Sequence, residues 1–218
     1  MSVSSTDNGL LTPDNCAVIF ADHQAQMFPG VANIGREDLL NSVLLLAKTA
    51  KIFGVPVILT SVERQGLNGY ITPQLLALLP GRTPIRRSSM NAWDDANFVA
   101  EVRRTGRRNI VVAALWSEVS LAMPALQALA DGYGVYAVVD ASGAASEVAH
   151  GAAIRRTEQA GAVSVTAMQL LLEFQRDWAR SEHHDEVMAV INEHCCACRP
   201  VSPRLPNEAG IDSHPLIR

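Results

Sequence analysis

The chain has no surplus of positive charge, no long apolar run, few cysteines and no internal repeat, and each absence removes a class of function. Lys and Arg number 18 against 22 Asp and Glu, a net charge of −4. A nucleic-acid-binding surface is normally basic, so nucleic acid is not an expected partner. The longest apolar stretches are broken by charge, Gly or Pro, and none approaches the roughly 18 residues of a membrane span. No membrane association is therefore expected. The first residues lack the basic and apolar regions of a secretory signal, which makes the cytoplasm the expected location. Of the four cysteines, Cys195, Cys196 and Cys198 are bunched near the end, which is not a disulfide framework. No linker divides the chain. A single domain is expected over residues 1–199, followed by a tail over 200–218 that holds four of the eleven prolines.

What is present is a regular alternation. With 48% apolar residues the chain can fill a sizeable core. Short apolar runs suited to buried strands occur at 16–21, 56–60, 109–115, 135–139 and 162–166, and a short third strand is expected at 84–86. Helical periodicity fills the intervals at 37–53, 72–79, 98–105, 121–130 and 147–160. Two closing helices are expected at 168–180 and 185–194. Gly54, Gly106, Gly132 with Gly134, and Gly161 stop helices, and Pro73 starts one. Six strands separated by helices predict an α/β fold: a Rossmann-like three-layer sandwich with a mainly parallel sheet and helices on both faces.

Ligands of such sheets bind outside the carboxyl ends of the strands. Asp22 follows the first strand, Arg87 the third, and Ser120 sits where the fourth turns into a helix. Each has an ordinary role available: Asp22 as a turn cap, Arg86 and Arg87 as a solvated pair, Ser120 as a helix cap. Together they supply a carboxylate to move protons, a cation to hold it ionised, and a nucleophile. That combination points to acyl transfer on a small-molecule substrate.

Asp22-His23-Gln24, Asn91-Ala92-Trp93-Asp94, Ser117-Glu118-Val119, Pro124-Ala125-Leu126, Val139-Asp140-Ala141-Ser142-Gly143 and Gln175-Arg176-Asp177-Trp178 carry a family resemblance. In their order along residues 13–194 they resemble the isochorismatase-like hydrolase superfamily, and most closely its YcaC-type branch of small bacterial cysteine hydrolases. The resemblance implies a six-stranded Rossmann-like sheet, an Asp, a Lys or Arg and a Cys at the active centre, and no organic cofactor. It also implies a homo-oligomer, with an octamer among the expected sizes. Asp22 matches the Asp, Arg87 the cation with Arg86 as the alternative, and Ser120 stands at the cysteine position. The resemblance further places a cis peptide at Leu115–Trp116 and makes the backbone N–H groups of Trp116 and Ser120 the oxyanion donors. Asn91, Trp93 and Trp116 become candidates for the substrate-binding wall.

The serine departs from the family pattern. A thiol with a pKa of about 8.5 ionises readily beside Arg, whereas a hydroxyl does not, and an ordinary Asp near 3.9 is a poor base for it. His23 is no helper, because in a strand-like continuation its side chain points away from that of Asp22. Four readings stay open at this stage. The chain is an amidase-like hydrolase whose Cys has been replaced by Ser, or a serine variant with modest acyl-transfer activity. Alternatively it hydrolyses vinyl ethers with Asp22 as the acid and no nucleophile, or it is a catalytically silent ligand-binding oligomer. No metal is expected: residues 61–70 hold no histidine for the zinc set some relatives use. The late His183, His184, His194, Cys195, Cys196 and Cys198 do not have zinc-knuckle spacing.

Overall fold

The computed structural model describes residues 9–63 and 69–194. In chain order the strands are β1 (Cys16–Ala21), β2 (Val57–Val62), β3 (Ile85–Arg87), β4 (Asn109–Ala114), β5 (Gly134–Val138) and β6 (Val163–Val165). The helices are α1 (Arg36–Ile52), α2 (Pro73–Leu78), α3 (Ala96–Arg104), α4 (Ala122–Ala130), α5 (Glu147–Gln159), α6 (Ala167–Gln175) and α7 (His184–His194). All five strand pairings are parallel, and the sheet order is β3-β2-β1-β4-β5-β6. The expected α/β sandwich is the observed one.

The two central strands read as continuous apolar runs because both faces of the sheet are covered. Alternation sends Val18 and Phe20 of β1 to one core, with Leu39, Leu46, Leu170, Leu171 and Val187 from α1, α6 and α7. Ile19 and Ala21 go to the other, with Phe98, Val102, Ala125 and Ala128 from α3 and α4. Side-chain caps begin three helices: Asp95 accepts from the Phe98 N–H, Ser146 from Ala149 and Thr166 from Gln169. Such caps contribute about 1 kcal/mol each. No helix among the described residues is long and apolar enough to cross a membrane.

The sheet order reverses direction between β1 and β4, the crevice where open α/β sheets receive ligands. Beyond β4 the chain passes through a cis Leu115–Trp116 peptide. It then makes one turn of π-helix, Ser117–Leu121, before α4 starts. Gly143 lies beside this turn because nothing larger fits: a Cβ there would sit 2.7 Å from the Leu115 and Val31 side chains. One boundary differs from the sequence expectation by more than two residues. The helix expected over 168–180 stops at Gln175, where Arg176 adopts φ 61. The Gln175 side-chain amide then donates to the Asp177 and Arg180 carbonyls, organising a loop in place of another helical turn. The cysteine cluster at 195–198 and the expected tail at 200–218 lie outside the described residues.

Candidate active site

Asp22 is the first residue past β1, and its backbone adopts φ 60, uncommon for a residue with a side chain. This turn directs the carboxylate across the strand ends. Oδ1 accepts the Val62 backbone N–H at 2.8 Å, and Oδ2 accepts Arg87 Nη2 and Ser120 Oγ, each at 2.5 Å. Asp22, Arg87 and Ser120 are 0%, 2% and 3% exposed, so the cluster is almost completely shielded from water. Arg87 is anchored further by Nη1, which donates to the Ser89 and Met90 carbonyls. Arg86, the alternative cation, points outward and pairs with Glu63 at 3.2 Å. The guanidinium paired with Asp22 is therefore that of Arg87.

Removing an ion pair from water is expensive, and attraction compensates only when hydrogen bonds satisfy what remains. Burial pushes the Asp22 carboxyl above its usual range, while Arg87, the Ser120 hydroxyl and the Val62 N–H pull it back. The result is a carboxylate of raised basicity bonded to a hydroxyl. His23 is no part of this cluster. It packs against Phe20 and Phe28, and Nε2 donates to the Ala141 carbonyl at 3.0 Å. Burial lowers its pKa to about 4, so it is a neutral core residue, facing away from Asp22 as its position after the strand predicts.

The other candidates divide. Trp93 belongs to the second core: its indole N–H donates to Asp131 at 2.9 Å, and its ring packs against Phe98 and Tyr133. Asn91 is also committed locally, accepting from the Trp93 N–H and donating to Asp94 and Gln127. The Trp93 indole N–H and both Asn91 amide hydrogens are thus engaged within the protein. The Trp116 indole lies against Gly30, where a Cβ would come within 2.8 Å of its ring. The two proposed oxyanion donors also differ. The Ser120 N–H donates to the Trp116 carbonyl at 2.8 Å. The Trp116 N–H has no partner among the described residues, and neither does the buried Arg87 Nε.

Two contributors were invisible or under-read in the sequence. Val62 acts through its backbone N–H, which no residue pattern reveals. Gln24, part of the Asp22-His23-Gln24 run, cross-links this region by donating to the Val62 and Gly69 carbonyls at 3.2 and 2.7 Å. A cavity of about 630 Å³ lies beyond Gln24 and Val62, bordered also by Tyr70, Ile71 and Arg86. It lies beside the cluster, and none of Asp22, Arg87 and Ser120 lines it.

Comparison with known proteins is consistent with this geometry. The pattern defining the isochorismatase domain matches residues 16–169. The chain is 38% identical over 169 residues to the probable hydrolase YcaC of Escherichia coli, covering 77% of this chain and 81% of the relative. The crystal structure of the E. coli YcaC gene product, described as an octameric hydrolase of unknown specificity, superposes with TM-score 0.82 at 35% identity. That match covers 86% of this chain and 91% of the other. YcaC from Pseudomonas aeruginosa, solved with hexane-2,5-diol and covalent acrylamide, gives TM-score 0.83 at 33% identity, covering 89% and 94%.

Proposed function

The chain belongs to the isochorismatase-like hydrolase family, and on that premise we propose that it cleaves a small amide, ester or related acyl substrate at Asp22, Arg87 and Ser120. The observation that carries this reading is the shared Oδ2 of Asp22, bonded at 2.5 Å by both the Ser120 hydroxyl and the Arg87 guanidinium. The covalent acrylamide in the P. aeruginosa relative supports a nucleophile in this family branch. The octameric E. coli relative supports a homo-oligomeric, octameric form, to be measured by sedimentation.

In the proposed reaction Ser120 Oγ bonds to the acyl carbon while its proton passes to Asp22. The unpartnered Trp116 N–H supplies a donor for the oxygen that becomes negative. The C–N or C–O bond then breaks, and the leaving amine or alcohol takes the proton from Asp22. Water attacks the acyl-Ser120 ester, gives its proton to Asp22, and Ser120 departs with that proton restored. Burial aids the first step by raising the basicity of Asp22 towards what a hydroxyl requires. The hydroxyl remains a far weaker nucleophile than a thiolate, so turnover by the native chain is expected to be modest.

The test is Ser120→Cys assayed beside the native chain on a panel of amides and esters. A gain in turnover, with iodoacetamide alkylation of the introduced thiol, is expected. Cys16 serves as an internal control, because burial pushes its thiol up to about 12 and keeps it unreactive. Neither turnover nor alkylation at position 120 would leave a silent ligand-binding oligomer as the better reading.

The same raised carboxyl favours one other reaction, vinyl-ether hydrolysis with Asp22 as the proton donor. That route needs no nucleophile. Retention of isochorismate hydrolysis in Ser120→Ala would identify it.

A further inference from the structure

We infer that His150 is a positioning residue for this centre, acting through the Ser117 hydroxyl to hold the turn that carries Ser120. The inference rests on the proposed role of position 120.

The turn Ser117–Leu121 is fastened to the segment after β5 by several bonds. The Ser117 N–H donates to the Gly143 carbonyl at 2.7 Å, and Glu118 accepts from the Ala145 N–H at 3.2 Å. Ser142 Oγ accepts from the Ala114 N–H and donates to the Val138 carbonyl, fixing that segment to β4 and β5. Ser117 Oγ adds two contacts, one to the Gly143 carbonyl at 3.1 Å and one to His150 Nδ1 at 2.8 Å.

A hydroxyl has one proton, and a carbonyl can only accept. Both contacts are satisfied together only when Ser117 donates to Gly143 and His150 Nδ1–H donates to Ser117. The chemistry thus assigns the proton on His150 to Nδ1 and gives the chain a direction, from α5 through the turn to the sheet. Ser117 is completely buried, so without His150 its oxygen loses a donor that water cannot readily replace. His150 itself is half-buried and closes the first turn of α5, its N–H donating to the carbonyl of the capping Ser146. It is therefore a site where substitution tests the hydrogen bond without opening the core.

Isosteres separate this role from space-filling. Asn carries an amide nitrogen where His carries Nδ1; Leu carries only bulk. The first measurement is hydrogen exchange of the native-sequence chain at the amides of 119–121. Exchange is expected to accelerate about tenfold or more in His150→Leu and in Ser117→Ala. It should return to the native rate in His150→Asn and not increase further in the Leu/Ala double variant. The second is the iodoacetamide rate at the introduced thiol in Ser120→Cys, expected to follow the same order, since small displacements of a reacting group carry large rate effects. Equal behaviour of His150→Asn and His150→Leu, or additive effects of the His150 and Ser117 changes, would overturn the inference. An introduced thiol no more reactive than N-acetylcysteine, with the exchange pattern as expected, would instead count against position 120 as the nucleophile and leave the His150 assignment standing.

Discussion

Asp22→Asn, made in the Ser120→Cys protein, is expected to lower kcat/KM by roughly 10²–10⁴-fold on the best substrate of the panel. Asn keeps the shape of the side chain but cannot take a proton from position 120 or return one to the leaving group. The change also removes the countercharge of Arg87, whose side chain is fully buried against Asp22. Stability is therefore expected to fall by about 3–5 kcal/mol, the usual penalty for stranding one partner of a buried pair. Urea unfolding of each variant gives the folded fraction, by which the rates are corrected. Full activity after that correction would remove the carboxylate from the mechanism.

Arg87→Met is expected to destabilise the chain by a similar amount at pH 8, about 3–5 kcal/mol, and by clearly less near pH 5. The sign follows from Asp22. Its folded-state pKa is already raised by burial, and Arg87 is the strongest influence lowering it. Without the guanidinium it rises further. A carboxyl whose folded pKa exceeds its unfolded value, near 3.9, binds protons more tightly when folded. The stabilisation from protonation is complete below the unfolded value and is lost as pH rises through the folded one. Acidification therefore neutralises the stranded carboxylate and recovers stability in the variant. Urea unfolding at the two pH values checks this, and an equal penalty at both would contradict the assigned pair.

Much of the architecture is legible in the residue order because its signals are local. Of the glycines read as helix stops, Gly54, Gly106, Gly132 and Gly161 have positive φ, which Gly alone adopts without steric conflict, whereas Gly134 begins β5. The β1 run Cys16–Ala21 was recognisable because burial on both faces removes polar alternation. The helix at 168–180 was read too long because Arg176, Asp177 and Trp178 give no compositional stop. The break comes from a positive φ at Arg176 and from the Gln175 amide. Likewise, the apolar-aromatic surroundings of Trp93 cannot say which way its indole turns. Its partner Asp131 is 38 residues away and meets it only through the packing of α4.

The site divides along the same line. Asp22, Arg87 and Ser120 were identifiable from their places at strand ends. The sequence favours Arg87 over Arg86 across a loop of ambiguous length; in the structure it is Arg87 that pairs with Asp22, while Arg86 pairs with Glu63. The Val62 N–H, the Trp116 N–H and the Ser117–His150 contact depend on backbone direction and on groups distant in sequence. They become visible only when the strand ends are assembled.

In the proposed reaction position 120 bonds covalently to the acyl group while Asp22 carries the proton. The most direct measurement of this step is peptide mass mapping of the Ser120→Cys protein, quenched in acid during turnover of its best ester. The acyl mass is expected on the peptide that contains position 120, and is expected to be absent when Asp22 is also changed to Asn. Turnover that proceeds with no adduct there, and that continues undiminished in Ser120→Ala, would contradict it.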